Sequence, residues 1–178
     1  MRLIKGIFFF FLAAVIVLMV VGFALPSNYQ VSRSIIINQS PDAVFKKIAV
    51  LQEWPRWTAW NSQRFPKMEV SFSGPEMGVG ASYFWTGEDS GSGSLVITAS
   101  DPATGIEYDL DIENGKYVSQ GSIKMQQEGD SVRVVWTNAG ELGNNPLNRY
   151  FGLLMDSFMG PDFAKGLSNL KVLVETEL

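Results

Sequence analysis

Residues 67–138 alternate apolar and polar side chains with a period of two, in short runs separated by turn residues, and contain no helical stretch of any length. No other feature restricts the fold as strongly. Successive side chains of a strand point to opposite faces, so this stretch must build a sheet with one face covered and the other wet. The alternation is cleanest in "GIEYDLDIEN", where Ile106, Tyr108, Leu110 and Ile112 share one face and Glu107, Asp109, Asp111 and Glu113 the other. The runs "KMEVSFSG", "ASYFWTG", "GSLVITASD", "GIEYDLDIEN", "VSQGSIKMQQ" and "DSVRVVWTN" read as six successive antiparallel strands. "EDSGSG", "DPATG", "NGK" and "EGD" supply turns, because glycine and Asp/Asn tolerate positive φ. The four alternating carboxylates sit on the solvent face and read as a solubility stripe, not as a catalytic pair or a metal site.

The flanks follow other periods. "YQVSRSIII" is β-branched and reads as a first strand, and "NQSPDAVFKKI" as a helix with Ser40 at its N-cap and Pro41 at its first position. "EWPRWTAW" then sets Trp54, Trp57 and Trp60 at three-residue spacing, which predicts a stripe on one side of a second short helix that either wedges into the open end of the sheet as core or brings Trp57 or Trp60 against a ligand. Beyond residue 146, Leu147, Phe151, Leu154 and Phe158 recur at helical spacing, as do Leu167, Leu170 and Val174. This long helix is expected to cover the apolar face of the sheet. Pro161 lacks an N–H and crowds the carbonyl of Ser157, so a kink or brief stop is expected there. Asn138 continues the parity of Val134 and Trp136 and reads either as one more polar group on the covered face or, the preferred reading, as the start of the loop "NAGELGNN". The predicted class is α+β: a curved seven-stranded antiparallel sheet wrapped around a long C-terminal helix, with two short helices after the first strand.

Residues 6–24 carry no charge, and a helix of 19 residues rises about 28 Å, close to the hydrocarbon thickness of a bilayer. Arg2 and Lys5 precede this run while "LPSNYQ" follows it uncharged, which predicts a single-pass span of the inner membrane, N-terminus in the cytoplasm and C-terminal domain in the periplasm or outside. A cleaved signal peptide is the alternative, since Gly22-Phe23-Ala24 loosely fits a small-x-small site. The boundaries expected are an anchor over 1–25, a linker over 26–28 and one domain over 29–178. After the apolar run stand 12 basic and 18 acidic residues, a net charge of −6. This balance, with no basic cluster, argues against nucleic acid and against electrostatic docking on anionic lipid. Histidine and cysteine are both absent, which removes disulfides, thiol nucleophiles, imidazole bases and nearly all zinc, haem-His and Fe–S sites. No cofactor, no metal and no nucleophile–base pair is expected, and no partner protein can be named.

The stretches "SPDAVFKKIAVLQEWPRWTAWN", "YFWTGEDSGSGSLVIT", "VVWTNAGEL" and "GPDFAKGLSNLKVLVE", in this order, resemble the START-like, Bet v 1-like (SRPBCC) helix-grip proteins. Within these, the chain resembles a polyketide cyclase/dehydrase-related group with an N-terminal membrane helix. The resemblance implies a single cavity between sheet and C-terminal helix that holds a small hydrophobic ligand, such as a lipid or a polyketide-like molecule. Trp57 and Trp60, the inward-facing Tyr83, Trp85, Tyr108 and Trp136, and Leu154 and Phe158 on the long helix are the expected lining. A cyclase- or hydratase-like enzyme using Tyr83 or Tyr108 with bound water, and an interaction module with a filled interior, are the alternatives. Enzymatic activity is not required by anything in the sequence.

Overall fold

The computed structural model describes residues 2–177, with side chains from residue 4 onward. The elements are α1 (Arg2–Ala24), β1 (Asn28–Ile37), α2 (Pro41–Ala49), a 3-10 turn (Leu51–Glu53), α3 (Trp54–Trp57), β2 (Glu69–Ser73), β3 (Ser82–Gly87), β4 (Gly91–Asp101), β5 (Gly105–Ile112), β6 (Tyr117–Glu128), β7 (Ser131–Glu141) and α4 (Pro146–Thr176). All strand pairs are antiparallel in one seven-stranded sheet of order β1-β7-β6-β5-β4-β3-β2. Five successive hairpins run from β2 to β7, and β1 closes onto β7 by a long return. The α+β helix-grip architecture expected from the sequence is thus the one observed, with α1 preceding it.

Local chemistry explains the boundaries. Ser40 is extended and its side chain accepts from the Ala43 N–H, starting α2 with Pro41 at the first position. The β5–β6 turn takes left-handed backbone at Glu113 and Asn114, both at φ 55°, before Gly115 at φ 85°. β7 continues to Glu141, so Asn138 lies inside a strand and does not begin a loop as expected; its amide is fully buried and bonded to Ser119 and Tyr29. α4 passes through Pro161 as one unbroken helix. The proline's missing N–H costs a single rung there, and the rest of the helix is held by packing against β1.

The core lies between the inner sheet face, α2, α3 and the second half of α4. Ile37, Val44, Ile48, Leu51, Ile97, Ile106 and Ile123 are fully buried, and α4 contributes Phe163, Leu167, Leu170 and Val174. These four recur at i, i+4, i+7 and i+11, one helical face. The first stripe of the same helix behaves differently. Leu147, Phe151, Leu154 and Phe158 are all exposed, and the first half of α4 meets the core through the other side, with Met155, Met159 and the Asp156–Arg33 pair.

The last turn of α4 is clasped to α2 and α3 by charge. Glu177 accepts from Lys47 at 2.7 Å and from Arg56, and both cations also reach Glu53, at 3.0 and 2.7 Å. The Lys47 ammonium, and then Arg56, hold the Glu177 carboxyl below its usual 4.5. A depressed carboxyl contributes stability above its ordinary value and loses it as pH falls through the depressed one. Amide exchange at residues 174–177 is therefore expected to accelerate, relative to intrinsic rates, on acidification below that usual value. Glu177→Gln should remove this pH dependence; an unchanged profile in that variant would show that the clasp is not responsible.

Candidate functional site

Trp54 and Trp57 sit on the single turn of α3, and their rings lie 5.2 Å apart. Each indole N–H donates to a carbonyl in the last turn of α2: Trp54 to Ile48 at 2.9 Å and Trp57 to Lys47 at 3.2 Å. Those carbonyls have no partner within their own helix, so the two tryptophans terminate α2 while filling the core. Thr58 then turns to extended backbone, φ −69° and ψ 157°, which ends the helical phase. Trp60 falls off the stripe. It is 38% exposed and packs on Phe65, with the Arg64 guanidinium 5.2 Å from its ring.

Glycines opposite the aromatic residues create the space that the inner face offers. Trp85 is paired across strands with Gly93, Tyr108 with Gly121 and Tyr29 with Gly140. A Cβ at Gly93 would stand 2.2 Å from the Trp85 ring, and one at Gly121 would stand 2.0 Å from the Tyr108 ring. Only glycine lets these rings lie flat over the neighbouring strand. On the helix side Gly166 does the same for Trp136, which stacks on Phe163 at 4.2 Å with the planes 1° apart.

Beneath α4 these rings leave a cavity of about 120 Å³. Tyr83, Trp85, Leu95, Leu110 and Ile112 wall the sheet side, Trp54, Tyr108, Trp136 and Asn138 the inner end, and Met159 and Phe163 the helix side. Thr58, Ala59, Trp60 and Asp162 form its mouth, where Arg64 bridges to Asp162 at 2.6 Å. A larger hollow of about 420 Å³ lies over the outer face of β2, β3 and β4, with Glu69, Ser71, Phe84, Thr86 and Asp111 among its lining. That hollow lies on the solvent face among Glu69, Ser71, Thr86 and Asp111; the inner cavity is the one whose residues converge from sheet, short helix and long helix.

Polar groups inside the cavity fall into two sets. Tyr108 Oη accepts from Trp136 Nε1 at 2.8 Å, and Asn138 links Tyr29 at 3.1 Å and Ser119 at 3.1 Å. Tyr83 Oη and Trp85 Nε1, in residues 5% and 8% exposed, have no hydrogen-bond partner among the described residues. Burial pushes the Tyr83 phenol up to about 12 and raises Tyr108 as well, so both stay protonated at physiological pH and each keeps a hydroxyl proton that no hydrogen bond among the described residues uses. Among the described residues no group of three or more Asp or Glu is placed to hold a metal ion.

Of the residues expected to line the site, Trp60, Tyr83, Trp85, Tyr108 and Trp136 do so. Trp57 is fully buried beside it, while Leu154 and Phe158, 46% and 63% exposed, point away from it. The reason is phase: the helical face that meets the sheet is set by Phe163 and Leu167, and Leu154 and Phe158 lie on the opposite side. Trp54, Met159 and Phe163 join the lining without having been assigned to it, and Asn138 joins it by the less favoured of its two sequence readings. Phe163 was within reach of sequence reasoning, since it extends the Leu167, Leu170 and Val174 stripe one step back.

The model of the family described as "Polyketide cyclase / dehydrase and lipid transport" matches residues 29–175. The chain belongs to this family. Solved structures share the fold of this chain. Ara h 8.0201 superposes with a TM-score of 0.56 at 12% identity, over 84% of this chain and 99% of that one. The protein Ms6760 from Mycobacterium smegmatis gives 0.58 at 13% identity, over 84% and 92%. StfQ, a di-domain ARO/CYC protein of the steffimycin biosynthetic pathway, gives 0.61 at 11% identity, over 83% of this chain and 51% of its own. No curated protein matches the sequence.

Proposed function

We propose that this family member is a membrane-tethered binding protein for a small apolar molecule, lipid or polyketide-like, that carries a hydrogen-bond acceptor. The observation that carries the reading is the pair of unpartnered donors, Tyr83 Oη and Trp85 Nε1, set in otherwise apolar walls. An unmet buried donor costs about 1–3 kcal/mol, and a ligand carbonyl or hydroxyl oxygen would relieve it. Apolar walls with a few oriented polar groups are the usual composition of a ligand site. The volume suits one end of such a molecule, a ring or a short chain, with the remainder leaving past Trp60 and Asp162. The protonated tyrosines favour holding a ligand over removing a proton from one.

The tether is α1. It is long and apolar enough to cross a membrane, by length and composition, and almost none of it is buried. Arg2 and Lys5 at its start support an N-terminus in the cytoplasm, with an anchor over residues 1–25, a linker over 26–28 and a periplasmic or extracytoplasmic domain over 29–178. Such an anchor holds the cavity near the outer lipid surface.

Titrating the detergent-solubilised full chain with oleic acid is expected to change its tryptophan fluorescence saturably, because any occupant touches Trp85 or Trp136. Tyr83→Phe should weaken that binding by about threefold to tenfold, one lost hydrogen bond, while leaving ligand-free stability unchanged or higher. If fatty-acid, sterol and polyaromatic probes all leave the spectrum unaltered, the domain is not a container and its interior is a filled core.

A further inference from the structure

α4 begins against the end of α1. The Tyr150 hydroxyl donates to the Leu18 carbonyl at 2.8 Å, Arg149 donates to the carbonyls of Phe23 and Leu25 at 2.8 and 3.0 Å, and Gly22 is buried against Pro146. Leu18 lies six residues before the end of α1, about 9 Å along the helix axis. If α1 spans a bilayer, the first turns of α4 cannot stand clear of it: they lie at the depth where acyl chains meet headgroups.

The surface of α4 suits that depth. Leu147, Phe151, Leu154 and Phe158, at i, i+4, i+7 and i+11, are 46–63% exposed and form one stripe on the side away from the sheet. Residues 147–161 contain two charged side chains, and neither serves the outer face: Arg149 is turned onto α1, and Asp156 pairs with Arg33 of β1 at 2.7 Å. A solvated helix ordinarily carries charge opposite its buried face. At the same end of the sheet, where Asn28 pairs with Glu141 and Ser119 with Gly140, Tyr117 and Val118 are also more than half exposed.

We propose that the outward stripe of the first half of α4 is immersed in the interfacial layer of the bilayer that α1 spans, so that the cavity mouth at Trp60 and Asp162 opens toward the lipid surface. The inference rests on α1 being a membrane span, and it adds a second, non-electrostatic contact made by the domain itself. Since no basic cluster accompanies the stripe, the contact is to acyl chains and should be indifferent to anionic lipid.

The absence of cysteine makes a direct test clean. Single-cysteine variants Phe151→Cys, Phe158→Cys, Ile16→Cys within α1 and Val172→Cys at the far end of α4 would be nitroxide-labelled in the full chain. Each would be reconstituted in phosphatidylcholine vesicles and its collision rates with oxygen and with a neutral nickel complex compared. Positions 16, 151 and 158 are expected to favour oxygen and position 172 nickel, with the same signs when a quarter of the lipid is anionic. Nickel winning at 151 and 158 while oxygen wins at 16 would overturn the stripe contact and leave the anchor intact. Low rates with both reagents at 151 and 158 would mean that protein covers the stripe, as in association of two copies, and would also overturn it. Nickel winning at 16 would remove the anchor and the inference together.

Discussion

Trp57→Ala is expected to destabilise the chain by about 3–5 kcal/mol, the cost of deleting a large aromatic from a filled core. Trp57 is fully buried, packs on Trp54 and Trp136 at 5.2 Å each, and closes the carbonyl end of α2 through Lys47. The substitution therefore opens a void and unpairs a carbonyl at once. Chemical denaturation of the full chain in detergent, followed by circular dichroism, measures the loss. Its effect on ligand affinity should be no larger than partial unfolding explains, because the ring does not reach the cavity surface. A loss below about 1 kcal/mol, together with weakened binding in the folded protein, would return Trp57 to the site and contradict the packing described.

Phe163→Ala should cost a similar ~3–5 kcal/mol, with a second consequence that distinguishes it. Phe163 separates the cavity from the α4 backbone and stacks on Trp136, so its removal joins the space of a phenyl ring to the existing 120 Å³. Apolar holes of this order stay dry and admit benzene-sized molecules. Indole or benzene is accordingly expected to restore part of the lost stability in Phe163→Ala, with a rise in melting temperature that grows with concentration. Trp57→Ala opens a void of its own beside Trp54 and Trp136, so the deciding comparison is competition: oleic acid should displace indole from Phe163→Ala. Absence of rescue in Phe163→Ala, or rescue that oleic acid does not displace, would show that the cavity is not the space that Phe163 limits.

These two side chains also mark how far sequence reasoning reaches. Period-two alternation is a strong signal because a strand offers only two faces, and a slip of one residue would invert every side chain from core to solvent. The seven strands, their inward set of Tyr83, Trp85, Tyr108 and Trp136, and the N-cap at Ser40 were accordingly readable in the chain itself. The existence and length of α1 and α4 were readable for the same reason, since long periodic or uncharged runs admit few conformations.

Orientation about a helix axis was not readable. α4 carries two apolar stripes of equal quality, and only contact with β1 and Trp136 selects Phe163 and Leu167 as the buried one, leaving Leu154 and Phe158 outside. Trp54, Trp57 and Trp60 share a spacing but not a fate, because a turn ending at Thr58 sends the third ring to the mouth. For Asn138 the parity of Val134 and Trp136 and the loop-like "NAGELGNN" pointed different ways, and only Tyr29 of β1 and Ser119 of β6 decided for the strand. The cavity itself depended on pairs distant in sequence, Gly93 with Trp85 and Gly121 with Tyr108, whose register exists only once the sheet is assembled. Local periodicity determined the elements of this protein, and long-range packing decided which of their faces enclose space, because a face becomes interior only when another element covers it.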